Sequence, residues 1–238
     1  MSKYGQFCPI AKASELLGER WTILILRELL LGSHRYSEFQ RALSRISPSL
    51  LTKRLKQMEQ AGIIVRKLPP GRKAHDYFLT SAGKELSPVI ENLAIWGMRW
   101  ARGQLSDDEL DVEFLMWDIQ RRIQVNMLPD GETVFCFIFD DLKQFNNWWL
   151  VIRDGDVDVC TENPGKDVDL YISGTLRNLV EVWEGDIEIK AAVRKQLLRT
   201  QGSKKLARAM PDWLGINPYA EIRPGDPNMM KVAADDHQ

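Results

Sequence analysis

Between Ile46 and Leu79 the chain spells a capped amphipathic helix followed at once by a hairpin, and few small folds accommodate that pair. Ser47 is an N-cap candidate with Pro48 at the first helical position, and Ile46 can pack on Leu51 as a hydrophobic staple. The helix should end near Ala61-Gly62. On a 3.6-residue wheel Leu50, Leu51, Leu55 and Met58 share one arc, while Ser49, Thr52, Lys53, Lys56 and Gln60 share the opposite one, with Glu59 at its margin. The β-branched run Ile63 to Leu68 follows, is broken by Pro69-Pro70-Gly71, and returns as His75 to Leu79, with Arg72-Lys73 at the tip. A short helix over Ser37–Leu43 would brace the amphipathic one. A brace helix, a reader helix small enough for a groove ~12 Å wide, and a basic hairpin are the parts of a winged helix-turn-helix.

Charge supports that division of labour. The whole chain of 238 residues has a formal net charge of −1. Residues 1–103 hold 17 Lys and Arg against 8 Asp and Glu, and the remainder holds 15 against 25. A basic half joined to an acidic half points to a polyanion-binding domain attached to a domain with another task. At 44% apolar and 27% charged residues, the chain has ordinary core-forming composition. It shows no secretory leader and no apolar run of membrane-spanning length, so a cytoplasmic protein without membrane contact is expected.

The other elements read as follows. Pro9 opens a first helix that Gly18 stops, and Trp21–Leu31 forms a second that ends at Gly32. Thr80 or Ser81 caps a long helix whose apolar positions Leu86, Val89, Ile90, Leu93, Trp96, Gly97 and Trp100 keep helical spacing. That helix carries more apolar surface than one small domain covers, which predicts a homodimer through Leu86, Leu93, Trp96 and Trp100, together with the first helix. A junction falls at Gly103–Asp108. Beyond it come a helix over Asp107–Ile123 and strands at Thr133–Phe139, Trp148–Ile152, Val157–Thr161 and Val168–Ser173. Helices at Thr175–Trp183, Ile187–Arg194 and Ser203–Leu214 complete the pattern, with a short strand at Leu197–Thr200. The expectation is α+β throughout: a winged helix-turn-helix at 1–103, an antiparallel sheet covered by helices at 107–222, and a mobile tail at 223–238.

Enzymatic signatures are missing: there is no phosphate-binding loop, dinucleotide fingerprint or nucleophile elbow. His34, His75 and His237, with Cys8, Cys136 and Cys160, lack metal-site spacing, so no metal and no cofactor are expected. The expected DNA-binding set is Arg35, Ser47, Ser49, Thr52, Lys53, Lys56, Arg72 and Lys73: short polar and forked donors for base edges, cations for phosphates. Cys8 lies before a helix start in a basic domain, where a thiolate is favoured; the alternative is a small packed side chain. In the acidic half Phe135, Phe137 and Phe139 point to one sheet face and Val134, Cys136 and Ile138 to the other. Phe135, Phe137, Trp149 and Trp183 either close an ordinary core or line a pocket for a small apolar or amphipathic ligand.

These residues also carry a resemblance. Cys8-Pro9-Ile10, the run Leu16 to Leu29 with Gly18-Glu19-Arg20-Trp21, Arg35-Tyr36-Ser37-Glu38-Phe39, Ile46 to Leu55, Leu79 to Gly83 and Trp96-Gly97 resemble HxlR-type regulators in order and spacing. Tyr36 stands where that pattern has Phe. The resemblance implies a dimeric winged helix-turn-helix transcriptional regulator bound to double-stranded DNA at pseudo-palindromic operators. Some members sense oxidants or electrophiles through a cysteine near the position of Cys8. A second, weaker resemblance covers about residues 110–222. Trp149-Leu150-Val151-Ile152, Gly155 to Val159, Asp167 to Thr175, Leu179 to Gly185 and Leu197 to Gly202 look like sterol-carrier-protein domains, which hold lipids between sheet and helices. Gly202-Ser203 departs from the Gly-Asp of that pattern. From another functional class, the competing reading is a lipid carrier or scaffold whose N-terminal module mainly dimerises.

Overall fold

The computed structural model describes residues 3–101 and 106–225. They form two compact units that divide between Trp96 and Gly97. The expected junction residues Gly103 to Leu105, and the tail from residue 226 on, lie outside the described residues.

The N-terminal unit runs α1 (Pro9–Leu17), α2 (Thr22–Leu30), α3 (Tyr36–Ala42), α4 (Pro48–Gln60), β1 (Ile64–Lys67), β2 (Asp76–Leu79), α5 (Ser81–Lys84) and α6 (Ser87–Trp96). Ser47 caps α4 as its side chain predicts, accepting from the Leu50 amide at 3.4 Å. Gly62, at φ 72°, lets the chain leave α4 while the Ile63 amide bonds the Met58 carbonyl at 3.0 Å. The hairpin pairs Ile64 with Leu79 and Lys67 with Asp76, leaving 68–75 as its loop. Ile25, Leu26, Phe39, Ile46, Leu51, Leu55, Met58 and Ile64 are buried and form the core beneath α3 and α4.

Two local expectations give way here. The long helix after Thr80 is interrupted between Lys84 and Ser87, because Pro88 has no amide to return to the preceding turn. Trp21 is not inside α2 but stands before it at φ 79°, a left-handed conformation that costs a large side chain roughly 1–3 kcal/mol.

The second unit opens with a π turn (Gly97–Ala101) and a single turn at Asp107–Glu109, followed by α7 (Val112–Arg122). Next come β3 (Thr133–Phe139), β4 (Asn147–Arg153), β5 (Asp156–Cys160), β6 (Leu170–Gly174), α8 (Leu176–Trp183), α9 (Ile189–Arg194), β7 (Leu198–Gly202), α10 (Lys204–Arg208) and α11 (Met210–Trp213). The helix expected from Asp107 starts only after Asp111, whose carboxylate caps Phe114 at 3.0 Å. The stretch Ser203–Leu214 is two helices, the second restarted at Pro211.

The sheet has the order β5-β4-β3-β6-β7. Three of its four pairings are antiparallel as expected, but the remaining one, β3 with β6, is parallel, so the sheet is mixed. Phe135, Phe137, Phe139, Trp148, Leu150, Ile152, Leu170 and Ile172 enter one core with residues of α7 to α11. Phe135 stacks on Trp213 with ring centroids 4.2 Å apart and planes at 11°, and the Trp213 indole donates to the Leu206 carbonyl at 2.9 Å.

Candidate nucleic-acid interface

Helix α4 divides as its pattern requires. Leu51, Leu55 and Met58 are buried, and Leu50 is half-buried at the edge. Ser47, Ser49, Thr52, Lys53, Lys56 and Gln60 are exposed along the other side. Glu59, the one carboxylate of the helix, faces Arg66 of β1 at 3.6 Å, which offsets its charge. Among the described residues Lys53, Lys56 and Lys73 have no carboxylate partner, so their cations stand toward solvent unneutralised.

Arg54 belongs to this site although sequence reasoning passed over it. It is buried on the inner side of α4. Its Nε donates to the Arg20 carbonyl at 2.9 Å, one terminal nitrogen to Gln57 Oε1 at 2.6 Å, and the other pairs with Glu19 at 2.6 Å. A planar guanidinium with three fixed acceptors holds the angle of α4 against the loop before α2. The only sequence signal was a cation on the apolar arc, opposite the other cations.

The wing is tied to the start of α3. The Tyr77 amide donates to the His34 carbonyl at 2.8 Å, and Arg35 bridges Asp76 as a third short strand. His34 is half-buried and lies 4.6 Å from the Phe78 ring, rather than on the open surface. The Glu38 carboxylate receives the His34 and Arg35 amides at 2.7 and 2.8 Å, which fixes this corner. Arg35 is exposed. Arg72 bonds Asp76 at 2.9 Å, so its charge is partly spent inside the wing, while Lys73 is not.

The expected dimer residues divide. Leu93 and Trp96 are 44% and 53% exposed, Leu86 is half-buried, and α6 contains no buried residue. Phe7, ahead of α1, is 98% exposed. Trp100 falls in the second unit, where its ring lies against Gly225 and the Gly225 amide bonds the Arg99 carbonyl at 2.8 Å. Residues 223–225 of the expected tail are therefore packed at their end. Cys8, half-buried at the start of α1, borders an open cleft of about 350 Å³ with Tyr4, Gln6 and Ile10.

Three of the four pocket candidates, Phe135, Phe137 and Trp183, share one core, and Trp149 does not. Phe135 lies under Trp213, and Trp183 sits edge-on to Phe114 at 6.3 Å. Trp149 pairs with Cys136 and so faces the reverse side of the sheet; its neighbour Trp148, opposite Phe137, faces the core. Strand alternation forces two consecutive Trp residues to opposite faces. The gap bordered by Phe137, Ile172, Leu179 and Leu198 is too narrow for a water molecule. Among the described residues there is no group of three or more His, Cys, Asp or Glu able to hold a metal ion, and no helix long and apolar enough to cross a membrane.

Residues 16–104 match the HxlR-like helix-turn-helix family. The uncharacterized HTH-type transcriptional regulator YvaP of Bacillus subtilis (strain 168) is 37% identical over 97 residues, spanning 40% of this chain and 90% of the relative. The chain belongs to the HxlR-like helix-turn-helix family. A second relative of this HxlR-like protein, the uncharacterized HTH-type transcriptional regulator sll1512 of Synechocystis sp., is 39% identical over 97 residues, covering 40% of this chain and 72% of that one. The reduced form of the transcriptional regulator YodB from B. subtilis aligns at 33% identity with a TM-score of 0.35, covering 39% of this chain and 92% of that one. Residues 99–214 match the SCP-2 sterol transfer family. The HxlR-like protein is thus a helix-turn-helix transcriptional regulator.

Proposed function

We propose that this HxlR-like protein is a cytoplasmic homodimer that binds a pseudo-palindromic operator through α4 and the wing, one reader helix per half-site. The observation that carries the reading is the outer side of α4, where Ser49, Thr52, Lys53 and Lys56 stand exposed with no carboxylate among them, beside the exposed cation of Lys73. Cations there serve phosphates, and the Ser49 hydroxyl, the Thr52 side chain and Lys53 serve base edges. Val89, Leu93, Trp96 and Phe7 supply the apolar surface for the second copy, and two-fold pairing would set the reader helices one DNA turn, ~34 Å, apart.

The test is duplex binding at two salt concentrations by wild type and by a Lys53/Lys56/Arg72/Lys73 quadruple alanine variant. The variant should lose affinity on all sequences, and its salt slope should flatten by about one unit per phosphate contact removed. Equal affinity of the two proteins rejects the assignment.

Residues 107–222 are proposed as a separate domain that takes a small apolar or amphipathic ligand, a reading supported by the sterol-transfer family match. Regulation would require that ligand to favour one of the DNA-competent and incompetent states; a tenfold effect on affinity corresponds to about 1.4 kcal/mol. The filled space under Phe135 means that a ligand must displace side chains, and Trp fluorescence across a panel of fatty acids and aromatic compounds reads that displacement directly. Cys8 as an oxidant sensor is tested by comparing operator affinity of wild type and Cys8→Ser with and without a quinone; identical responses make the thiol structural.

A further inference from the structure

We propose that Tyr36 is a positioning residue for Thr52, and that the Thr52 methyl reads a thymine in each operator half-site; the inference rests on the DNA-binding reading above. Thr52 lies one turn into α4 and is exposed. Its Oγ1 donates toward the Pro48 carbonyl at 2.9 Å and lies 3.3 Å from Tyr36 Oη. The Tyr36 hydroxyl donates to that same Pro48 carbonyl at 2.8 Å.

A threonine hydroxyl has one proton, and both acceptors within its reach here are internal. Whichever takes it, Thr52 has no donor left for a base. A helical threonine alone divides between two χ1 rotamers. The Tyr36 oxygen is a second partner, 3.3 Å away in the rotamer observed here, and so adds weight to that rotamer. A hydroxyl held against the Pro48 carbonyl leaves the methyl as the part of this exposed side chain that is not engaged inside the protein. A methyl without a hydroxyl donor suits the C5-methyl of thymine and is poorly matched to the two acceptors of guanine.

The experiment is selection from a randomised duplex library by the full-length protein and by its Tyr36→Phe, Thr52→Val and Thr52→Ser variants, followed by affinity measurement on the selected site with deoxyuridine in place of the assigned thymine. Wild type should enrich one thymine per half-site and lose roughly five- to tenfold on loss of that methyl, the scale of one base contact. Thr52→Val keeps the threonine methyl, with a second methyl in place of the hydroxyl, and should retain the preference, whereas Thr52→Ser should lose the thymine–uracil discrimination. Tyr36→Phe should weaken the preference several-fold with an unchanged salt slope, a split that a merely structural role would not produce. Thymine discrimination that survives Thr52→Ser, disappears in Thr52→Val, or is indifferent to Tyr36→Phe overturns the inference while leaving DNA binding intact. A wild type that selects no sequence at all removes the DNA-binding reading, and this inference with it.

Discussion

Helix α6 carries Val89, Leu93 and Trp96 into solvent, whereas strand β3 hides Phe135, Phe137 and Phe139 completely. Both elements are apolar-rich, and the difference lies in what is folded over them. In the second unit five helices of the chain close one face of the sheet, down to the stacked pair of Phe135 and Trp213. In the N-terminal unit the core ends at α2 to α4 and the hairpin, and among the described residues of that unit nothing buries any residue of α6. The comparison teaches that apolar content does not say where a binding surface is. The unit expected to hold a ligand has spent its aromatics on itself, and the unit expected to bind DNA keeps an exposed apolar side, the one proposed above for a second copy.

The sharpest break in that comparison is Trp96→Asp. It should convert the dimer to a monomer in light scattering and lower operator affinity at least about a hundredfold, since linked half-sites are lost together. A dimer that persists would mean that the exposed side of α6 serves something else. Next in size, Trp213→Ala should destabilise the second unit by about 3–5 kcal/mol, the range for a fully buried aromatic. Thermal melts should then show that unit unfolding first, while DNA binding at low temperature persists. Arg54→Met should cost about 2–3 kcal/mol in the N-terminal unit, below the range for a fully buried pair because Glu19 keeps contact with water. It should weaken sequence selection more than binding to random duplex.

Smaller effects separate the wing residues. Lys73→Ala should flatten the salt slope by nearly one unit, and Arg72→Ala by less, because Arg72 must first leave Asp76 to reach a phosphate. Equal slopes would show that the ion pair does not persist in solution. A last effect, confined to alkaline pH, concerns Cys136, whose thiol burial pushes up to about 11. The folded chain keeps that proton at pH values where an unfolded thiol, near 8.5, has lost it. The contribution of Cys136 is therefore intact below about pH 8.5 and is lost as pH rises toward 11, seen as a declining midpoint in denaturant titrations. At pH 8 an alkylating reagent should modify Cys8 well before Cys136.

Much of the fold was legible because its signals are local. Ser47-Pro48, Thr80, Thr175 and Ser203 start helices in the structure because a side-chain oxygen can satisfy an amide three residues on, whatever lies elsewhere. The hairpin followed from Pro69-Pro70-Gly71 between β-branched runs. Where a local signal was outweighed the boundary moved: Asp111 capped instead of continuing a helix, and Pro88 and Pro211 divided helices that periodicity alone would join. The site was half legible. Exposed Ser49, Thr52, Lys53 and Lys56 could be read off a wheel, but the partners that hold α4 in place could not.

By itself, then, the amino-acid order determined the reader helix, its cap, its polar side, the wing, and the opposite charge of the two halves, all of which depend on neighbours within a few residues. Tertiary structure alone decided that Arg54 turns inward to Glu19 and the Arg20 carbonyl, that Arg72 is occupied by Asp76, and that the Tyr36 hydroxyl reaches Pro48. It also decided that Trp148 rather than Trp149 faces the core, and that β3 runs parallel to β6. Alternation states that consecutive strand residues face opposite ways, and periodicity states that a helix has two sides. Neither says which side the rest of the chain will cover, because that depends on contacts between residues far apart in sequence.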